Sequence, residues 1–495
     1  MNEPRPCWLC DRQAGCLLHV TSLPSADGQG HLGPIAYRFI DYLADAGFTV
    51  WQMLPVSPVH ADLSPYLPRS TFAGHTGLIS AELLARQGLI DGFEADGSDL
   101  PERRDLVGRA WQAFQHAAGA EEHSRFERFQ EAQAAWLPDY TLFRSLALEH
   151  EDRAWFHWPR PERNIAEGTL SRLRERHAAS MEREAFGQYL FFEQWRALAE
   201  HAHARGIRLF GDLPIYVAQD SADVWRWREN FMADEEGELL EVAGVPPDAF
   251  SATGQRWGNP LYDWEYLRRN DYRWWIHRFQ NQTGLFDILR VDHFRGFESY
   301  WSIPGDSDTA ETGRWRPGPG QHLFDAVFKE LGPLPLVAED LGEITPQVDA
   351  LRSQNGFPGM RVLQFAFEGD AENPHRLANH EPDSVVYTGT HDNDTTLGWW
   401  ESQPDKVRRL VLEQLDDSGL PMPRLLARAA LNSVGRLAVL PMQDLLGLGS
   451  EARMNTPGTA QGNWTWQMPD GVIDAGPASW IRAMIESSGR LPEPE

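Results

Sequence analysis

Cysteine is scarce in this sequence: only three occur among 495 residues, at Cys7, Cys10 and Cys16. Cys7 and Cys10 have the spacing of a zinc-binding pair, but no second pair follows, and His19 is the only nearby candidate for a further ligand. We therefore expect reduced, non-catalytic thiols rather than a metal site. So few cysteines in a long chain suit a cytoplasmic location.

Long apolar runs are also missing. No stretch approaches the roughly 18 apolar residues of a membrane-spanning helix, and the N-terminal stretch MNEPRPCWLCDRQ lacks the apolar core of a signal peptide. The sequence thus predicts neither a membrane protein nor a protein secreted by a standard signal.

Basic residues are outnumbered, with 45 Lys and Arg against 72 Asp and Glu, which gives a formal net charge of −27. Such an acidic surface repels phosphate backbones and argues against nucleic acid or an anionic membrane as a partner.

Tryptophan, by contrast, is plentiful, with 20 residues. Its flat ring either fills a core or stacks on the apolar face of a sugar. No feature specifies an oligomeric state.

Short apolar segments, each predicted to be a strand, alternate with helix-compatible segments along the chain. There are eight of them, centred near Leu17, Trp51, Phe210, Leu289, Val337, Leu363, Tyr387 and Val439. This order predicts an α/β fold, the (β/α)8 TIM barrel, whose usual ~250 residues leave about half of the chain for insertions in the βα loops. A doubly wound open sheet is the alternative, but the first strand lacks a glycine-rich phosphate turn.

The rhythm of strands and helices also suggests how the chain is divided. We predict that residues 1–59 form the first part of the catalytic barrel, 60–185 a mostly helical inserted subdomain, and 186–495 the rest of the barrel. Within the last part, about 220–264 is long and irregular. Long irregular loops are uncommon unless they are functional, so we predict that this segment covers the active site.

Acidic residues follow several predicted strands at the point where the apolar run stops. In FDILRVDHFRGF, residues 286–297, apolar residues give way abruptly to charged ones. The acids concerned are Asp212, Asp292, Glu339 with Asp340, and Asp392 with Asp394. Because the carboxyl ends of barrel strands converge on one rim, we expect these side chains to meet there. For any one of them alone, a helix cap or a solvated turn is the alternative.

Clustered carboxylates suit either a divalent metal or glycoside chemistry, and the neighbouring His293 and His391 are compatible with both. Arg290 lies two residues before Asp292 and so points the same way on a strand. Its positive charge opposes a metal ion and keeps Asp292 ionised, as a nucleophile requires. This pair favours a site that cleaves sugar linkages.

The strand-end motifs DILRVDHFRGF, LVAEDLG, YTGTHDNDT and GDLPIYV resemble the four signature regions of the α-amylase clan. The longer strings VAGVPPDAFSATGQRWGNPLYDW, GRWRPGPGQHLF and PMQDLLGLGSEARMNTPGT are similar to the amylomaltase family. These are the 4-α-glucanotransferases, or disproportionating enzymes, of glycoside hydrolase family 77. The resemblance runs from HVTSLPS to GNWTWQM. It implies a barrel with inserted subdomains, no separate C-terminal β-domain, no cofactor and no metal.

The resemblance also implies a role for individual residues. Asp292 would be the nucleophile that forms a covalent glucosyl-enzyme, Glu339 the general acid and base, and Asp392 the carboxylate that holds sugar hydroxyls at the transition state. The family's other substrate-binding residues match Tyr66, Asp212, Arg290 and His391. Three aromatic residues in or beside segment 220–264 are candidate sugar platforms or packing residues, namely Tyr216, Phe250 and Trp257.

The implied reaction is the retaining transfer of α-1,4-glucan segments between maltooligosaccharides, with glucose among the partners. Retention requires the two carboxyl groups to lie roughly 5–5.5 Å apart. We expect the pKa of Glu339 to be raised toward neutrality and that of Asp292 to stay low. An α-glucan hydrolase of the same clan and a non-catalytic glucan-binding protein are the alternatives. His75 and Thr76 depart from the family's pattern in a segment, 56–80, that bears on preferred chain length.

Overall fold

The computed structural model describes residues 9–25, 28–91, 103–247, 251–416 and 419–492. Strands within these residues form two sheets. In chain order they are β1 (Gln13–Leu17), β2 (Val50–Gln52), β3 (Arg208–Leu213), β4 (Glu241–Val245), β5 (Gln255–Pro260), β6 (Ile288–Val291), β7 (Ser299–Pro304), β8 (Arg314–Pro317), β9 (Leu336–Ala338), β10 (Gly359–Val362), β11 (Ser384–Tyr387) and β12 (Leu437–Pro441).

The larger sheet is parallel and has eight strands in the order β10, β11, β12, β1, β2, β3, β6 and β9. Its two ends are joined by a 2.9 Å hydrogen bond from the backbone N–H of Ala338 to the carbonyl of Pro358, directly before β10. The sheet is therefore a nearly closed barrel, and the predicted (β/α)8 fold is confirmed. Seven predicted strand centres lie within these strands or next to them, and Leu363 directly follows β10.

Helices pack around the barrel and fill its insertions. Within the described residues they are α1 (Pro34–Ala46), α2 (Ala81–Arg86), α3 (Arg103–Ala117), α4 (Ala120–Ala132), α5 (Leu137–Glu149), α6 (Arg160–Arg163), α7 (Glu167–Ala204), α8 (Ala222–Arg226), α9 (Trp264–Arg269), α10 (Arg273–Thr283), α11 (Gln321–Leu331), α12 (Pro346–Gln354), α13 (Thr396–Ser402), α14 (Asp405–Leu415), α15 (Met422–Asn432), α16 (Met442–Leu446) and α17 (Ser479–Ser487). Helix α1 ends at Gly47, whose left-handed φ of 90° is easily adopted by glycine.

Side chains of the barrel strands alternate between two hydrophobic cores. Ile288 packs inside the barrel with Phe210 and Val337, whereas Leu289 and Val291 pack outward against the helices. Because successive side chains on a strand point in opposite directions, Arg290 shares the inward direction of Ile288. The alternation thus aims Arg290, and Asp292 after it, at the barrel mouth.

The insertion between β2 and β3 is helical, as predicted, and its longest element is the 38-residue helix α7. Helix α7 runs across the predicted boundary at residue 185 and continues to the loop before β3. It therefore belongs to the insertion at its start and to the wall of the barrel at its end. The division into three chain segments stays a prediction.

A four-stranded antiparallel sheet, in the order β5, β4, β7 and β8, was not predicted from the sequence. Two of its strands lie in segment 220–264, which reads as irregular because its strands are short and rich in Gly, Pro and charged residues. Pairing between β4 and β5 also shifts register between Val242 and Gly244. We call this element the accessory sheet.

Cys16 is a free, buried thiol, whereas Cys10 is disulfide-bonded, so the expectation of reduced thiols is wrong for Cys10. Over the described ranges, no helix combines the length and the apolar character needed to cross a membrane. In the same part of the chain, no group of three or more His, Cys, Asp or Glu residues is placed to hold a metal ion.

Candidate active site

A cleft of about 1770 Å³ opens at the carboxyl ends of the barrel strands. Asp292 follows β6 directly and Glu339 follows β9 directly, while Asp392 lies in the loop after β11. All three predicted catalytic carboxyl groups line this cleft. Residues that are far apart in the sequence are therefore brought together, as the convergence of barrel strands predicts.

Arg290 links two of the acids at the floor of the cleft. Its Nη1 lies 2.8 and 2.7 Å from the two carboxylate oxygens of Asp212, its partner in the register of β3 and β6. Its Nη2 lies 2.9 Å from Oδ1 of Asp292. Burial disfavours the charged guanidinium, but the carboxylates of Asp212 and Asp292 outweigh it and raise the pKa of Arg290 well above its usual value. The guanidinium is thus a permanent positive charge beside Asp292.

Glu339 is held by two backbone donors. The N–H of His293 donates to its Oε2 at 2.7 Å, and the N–H of Leu341 donates to its Oε1 at 2.8 Å. His293 adopts φ 47° and ψ 49°, a left-handed conformation that non-glycine residues rarely take. This turn points the backbone N–H of His293, the residue after Asp292, toward the carboxyl group of Glu339.

The pKa values of Asp292 and Glu339 are both raised, and burial is the main cause. Although 29% of the Asp292 side chain is exposed to the cleft, the surrounding walls desolvate it and raise its pKa to about 8, while Arg290 opposes this shift. The raised pKa of Glu339 agrees with expectation. The expectation of a low pKa for Asp292 is wrong, because desolvation outweighs the effect of the guanidinium. The charge of Glu339 is one of the causes that raise the pKa of Asp292, so the protonation of one acid affects the other.

The loop that carries Asp392 is fixed from the C-terminal part of the chain. Asn455 donates from Nδ2 to Oδ1 of Asp392 at 2.6 Å, and Nε2 of His391 lies 3.4 Å from its other carboxylate oxygen. Beneath the loop, buried Asp444 accepts hydrogen bonds from Oγ1 of Thr388 at 2.5 Å and from N and Oγ1 of Thr396 at 2.7 and 2.6 Å. One carboxylate therefore holds both ends of the loop.

Aromatic rings line one side of this loop. Tyr66 donates from its hydroxyl to Oδ2 of Asp212 at 2.7 Å and stacks on His391 with ring centroids 5.1 Å apart. Trp464 lies 5.7 Å from Tyr66, centroid to centroid, and has a left-handed φ of 66°. Desolvation raises the pKa of Tyr66 well above its usual value and lowers that of His391, so both rings are neutral hydrogen-bonding groups at neutral pH.

The candidate platforms have different surroundings. Trp257 lines the cleft and meets His293 edge-on, with ring centroids 4.8 Å apart. Tyr216 lies 6.3 Å from Trp257, centroid to centroid, and is almost fully buried, so most of its surface packs against protein. Phe250 lies outside the described residues.

Sequence reasoning missed Asn455, Trp464 and Asp444, which support Asp392, His391 and their loop. Asp444 belongs to the motif PMQDLLGLGSEARMNTPGT, as does Asn455, and Trp464 belongs to GNWTW, so the signal was present in strings that indicated only the family. Asn455 lies 63 residues after the aspartate that it contacts. No local pattern indicates a contact over that distance.

Comparison with known proteins bears on the chemistry of this cleft. A family model described as 4-alpha-glucanotransferase matches residues 18–473, a span that contains every residue of the cleft named above. The chain belongs to this family. The resemblance inferred from its motifs is thereby confirmed, and the chain is an enzyme, a 4-α-glucanotransferase of glycoside hydrolase family 77.

Members of the family match over nearly their whole length. A 4-alpha-glucanotransferase of Thermus thermophilus is 44% identical over 499 residues, which covers 97% of this chain and 99% of that protein. One from Synechocystis is 45% identical over 485 residues and covers 94% and 95%. Among solved structures, an amylomaltase from Streptococcus agalactiae in complex with acarbose has a TM-score of 0.90 at 33% identity, covering 96% of this chain and 98% of that one.

Proposed function

We propose that this enzyme moves α-1,4-glucan segments between maltooligosaccharides by a retaining double displacement, with a covalent glucosyl group on Asp292. The observation that carries the proposal is that Asp292 lies 2.9 Å from a fixed guanidinium and follows the strand β6, which pairs with β9, the strand that Glu339 follows. A nucleophile and an acid/base on adjacent barrel strands are what retention requires. Their expected separation of roughly 5–5.5 Å stays a prediction.

The first displacement forms the covalent intermediate. Nη2 of Arg290 binds Oδ1 of Asp292, which leaves Oδ2 to attack the anomeric carbon of the donor. As the new C–O bond forms, the glycosidic bond breaks, and Glu339 gives its proton to the departing oxygen. The fragment with the reducing end then leaves with a free hydroxyl group, and Glu339 is ionised.

The second displacement transfers the sugar. The 4-hydroxyl of an acceptor glucan gives its proton to ionised Glu339 and attacks the anomeric carbon, and the bond to Asp292 breaks. Two inversions at one carbon restore the α configuration. Glu339 is protonated and Asp292 ionised again, so neither step consumes a cofactor.

The neighbours of the two acids bear on which of them holds a proton in the active form. Asp292 contacts a full positive charge, which stabilises its carboxylate. Glu339 accepts from two neutral backbone amides, which stabilise a carboxylate less than a guanidinium does. The proposed reaction needs the proton on Glu339 and Asp292 ionised; the contact with Arg290 favours this form, and the raised pKa of Asp292, about 8, opposes it.

The remaining cleft residues bind the sugar chains in this proposal. Asp392 exposes 45% of its side chain and, oriented by Asn455, holds hydroxyl groups of the donor sugar at the transition state. Tyr66, Asp212, Arg290 and His391 surround the same sugar, and Trp257 and Tyr216 lie on the side where the acceptor enters. The described residues of segment 220–264 cover that side in this proposal and let an acceptor hydroxyl compete with water. A cytoplasmic location stays a prediction.

Incubation of the purified enzyme with maltotriose tests the proposal. Glucose together with a ladder of longer oligosaccharides is the expected result, because each covalent intermediate is passed to another maltotriose. Glucose and maltose alone would identify a hydrolase instead. Unchanged maltotriose would identify a glucan-binding protein without activity.

Mass spectrometry of enzyme trapped with a slowly turned-over donor fluoride should locate the added glucosyl mass on the peptide that contains Asp292.

A further inference from the structure

Trp315 lies on the wall of the cleft, and neither the motifs nor the reaction above assigns it a role. It belongs to GRWRPGPGQHLF, and it sits on β8, an edge strand of the accessory sheet. With 39% of its surface exposed, it is one of the most exposed large apolar side chains among the described residues. Its exposed surface contributes to the cleft that contains Asp292 and Glu339.

The strand that carries Trp315 is firmly held. Arg314 lies 2.9 Å from Oε1 of Glu241 on β4, and Arg316 contacts the same oxygen. Since side chains alternate along a strand, these two contacts fix one face of β8 and project Trp315 from the other. There it meets Trp301 on β7, its partner in the register, with ring centroids 5.2 Å apart. The indole is therefore fixed before any ligand arrives.

Trp315 is also connected to the catalytic strand. The guanidinium of Arg295, three residues after Asp292, lies over the indole ring at 3.9 Å from its centroid. Arg295 is buried and donates to the carbonyl of Glu343, in the loop after β9. Trp315 thus adjoins the loops that follow Asp292 and Glu339.

We propose that Trp315 is a platform for one glucose unit of an α-1,4-glucan, on the side of the cleft where the leaving group departs and the acceptor enters. This inference rests on the proposed function and extends it. A rigid indole offers a large apolar surface to the C–H groups of a pyranose ring at little cost in conformational entropy. Trp257 and Trp315 both belong to the accessory sheet, so this sheet supplies the acceptor side of the cleft with two indole rings.

The competing role is structural: Trp315 would only cover Arg295. The two roles predict different effects of losing Trp315 on the affinity for short and for long glucans. A cover changes the stability of the fold, or lowers affinity for every glucan alike. A platform changes affinity only for glucans long enough to reach it.

Isothermal titration calorimetry in the Asp292→Asn background tests the platform directly, because binding is measured without turnover. Maltose and maltoheptaose are titrated into Asp292→Asn alone and into the same chain carrying Trp315→Ala or Trp315→Phe. We expect Trp315→Ala to weaken maltoheptaose about five- to tenfold and to leave maltose unchanged. Trp315→Phe, which keeps a ring over Arg295, should lose less.

Trp480→Ala is the matched control. Trp480 is a partly exposed indole with the guanidinium of Arg424 at 4.6 Å from its centroid, but it lies on α17, away from the cleft. Its removal should leave the affinity for both glucans unchanged. Equal maltoheptaose affinity in the presence and absence of Trp315 would overturn the platform while leaving the transferase reaction intact. Equal weakening of both ligands would assign Trp315 to structure, and a lack of binding by Asp292→Asn itself would overturn both proposals.

Discussion

The backbone N–H of His293 donates a 2.7 Å hydrogen bond to Oε2 of Glu339. The residue after Asp292 therefore holds the neighbouring acid, and this contact joins the loops after β6 and β9 at the level of the proposed nucleophile and acid. The contact requires φ of 47° at His293, which is strained for any residue with a side chain. Local strain and placement of the acid are thus two aspects of the same turn.

Substitution of His293 tests this turn. His293→Gly relieves the left-handed conformation and keeps the amide donor, so we expect a stable fold and a moderate loss of activity from the missing contact with Trp257. His293→Val cannot adopt the turn without about 1–2 kcal/mol of added strain and should lose most of kcat. Thermal unfolding and kcat on maltotriose, measured for both variants, check the prediction. Equal kcat in the Gly and Val variants would contradict it.

Removal of the proposed nucleophile, Asp292, should abolish activity and stabilise the fold at alkaline pH. The folded-state pKa of Asp292 is about 8, above the ~3.9 of an unfolded aspartate. Folding therefore loses stability as pH rises through this window, because the folded chain retains the proton longer. Asn cannot ionise, so Asp292→Asn should unfold at a higher temperature than the wild type at pH 8.

The difference in unfolding temperature between Asp292→Asn and the wild type should shrink toward zero near pH 4, where Asp292 is protonated in the folded chain. Differential scanning calorimetry at both pH values measures it. The same samples assayed on maltotriose should show a loss of about a thousandfold or more. Near-normal turnover in Asp292→Asn would remove the nucleophile assignment, and an equal gain at both pH values would remove the electrostatic explanation.

The proposed reaction needs one proton on the pair formed by Asp292 and Glu339, and the pH dependence of kcat/KM tests this requirement. With one proton between them the pair can act as nucleophile and acid, so activity should fall as pH rises above about 8 and the proton is lost. Initial rates from pH 5 to pH 10 measure this limb. A constant kcat/KM up to pH 10 would contradict a shared proton.

For Glu339→Gln, a glucosyl fluoride donor should still label Asp292, because fluoride departs without protonation.

Asp444 should affect catalysis through position alone, since it holds both ends of the loop that carries Asp392. Asp444→Asn replaces an acceptor of three hydrogen bonds with an amide that has only one acceptor atom, so the loop should relax. We expect kcat/KM to fall about 10- to 100-fold, mostly in kcat, because in the proposed reaction Asp392 acts at the transition state.

Asp223→Asn is the control for this variant. Asp223 is a buried aspartate that accepts from N and Oγ1 of Thr71 at 2.9 and 3.3 Å, away from the Asp392 loop. It should cost comparable stability and much less activity. Parallel losses of kcat in both variants would show that Asp444 supports only the fold. Retention of wild-type activity by Asp444→Asn would show that the loop is held without it.

The sequence revealed the barrel and its central acids because both follow from local pattern. Each barrel strand is a short apolar run, and Asp292 and Glu339 stand directly where such a run ends. The accessory sheet is different: β4 pairs with β7 about 60 residues later, and its strands contain no long apolar run. Trp315 could therefore be seen in the sequence but not placed in the cleft.

The pKa of Asp292 is a second property that could not be predicted from the sequence. The sequence gives its nearest charge, Arg290, and correctly predicts that the two side chains meet. It does not give the density of protein around them, and desolvation depends on all of those atoms. A pKa is thus set by tertiary packing even when its closest partner is two residues away.

The side chains of β6 alternate between the inside of the barrel and the surrounding helices, and this limits which mutations the strand can accept. A shift of that strand by one residue would turn Val291 into the barrel and Arg290 toward the helices. The guanidinium would leave both Asp212 and Asp292, and a buried charge would face the outer core. An insertion or deletion of a single residue within β6 would therefore disable the chemistry and the fold together, so this strand can change only by substitution, with its length conserved.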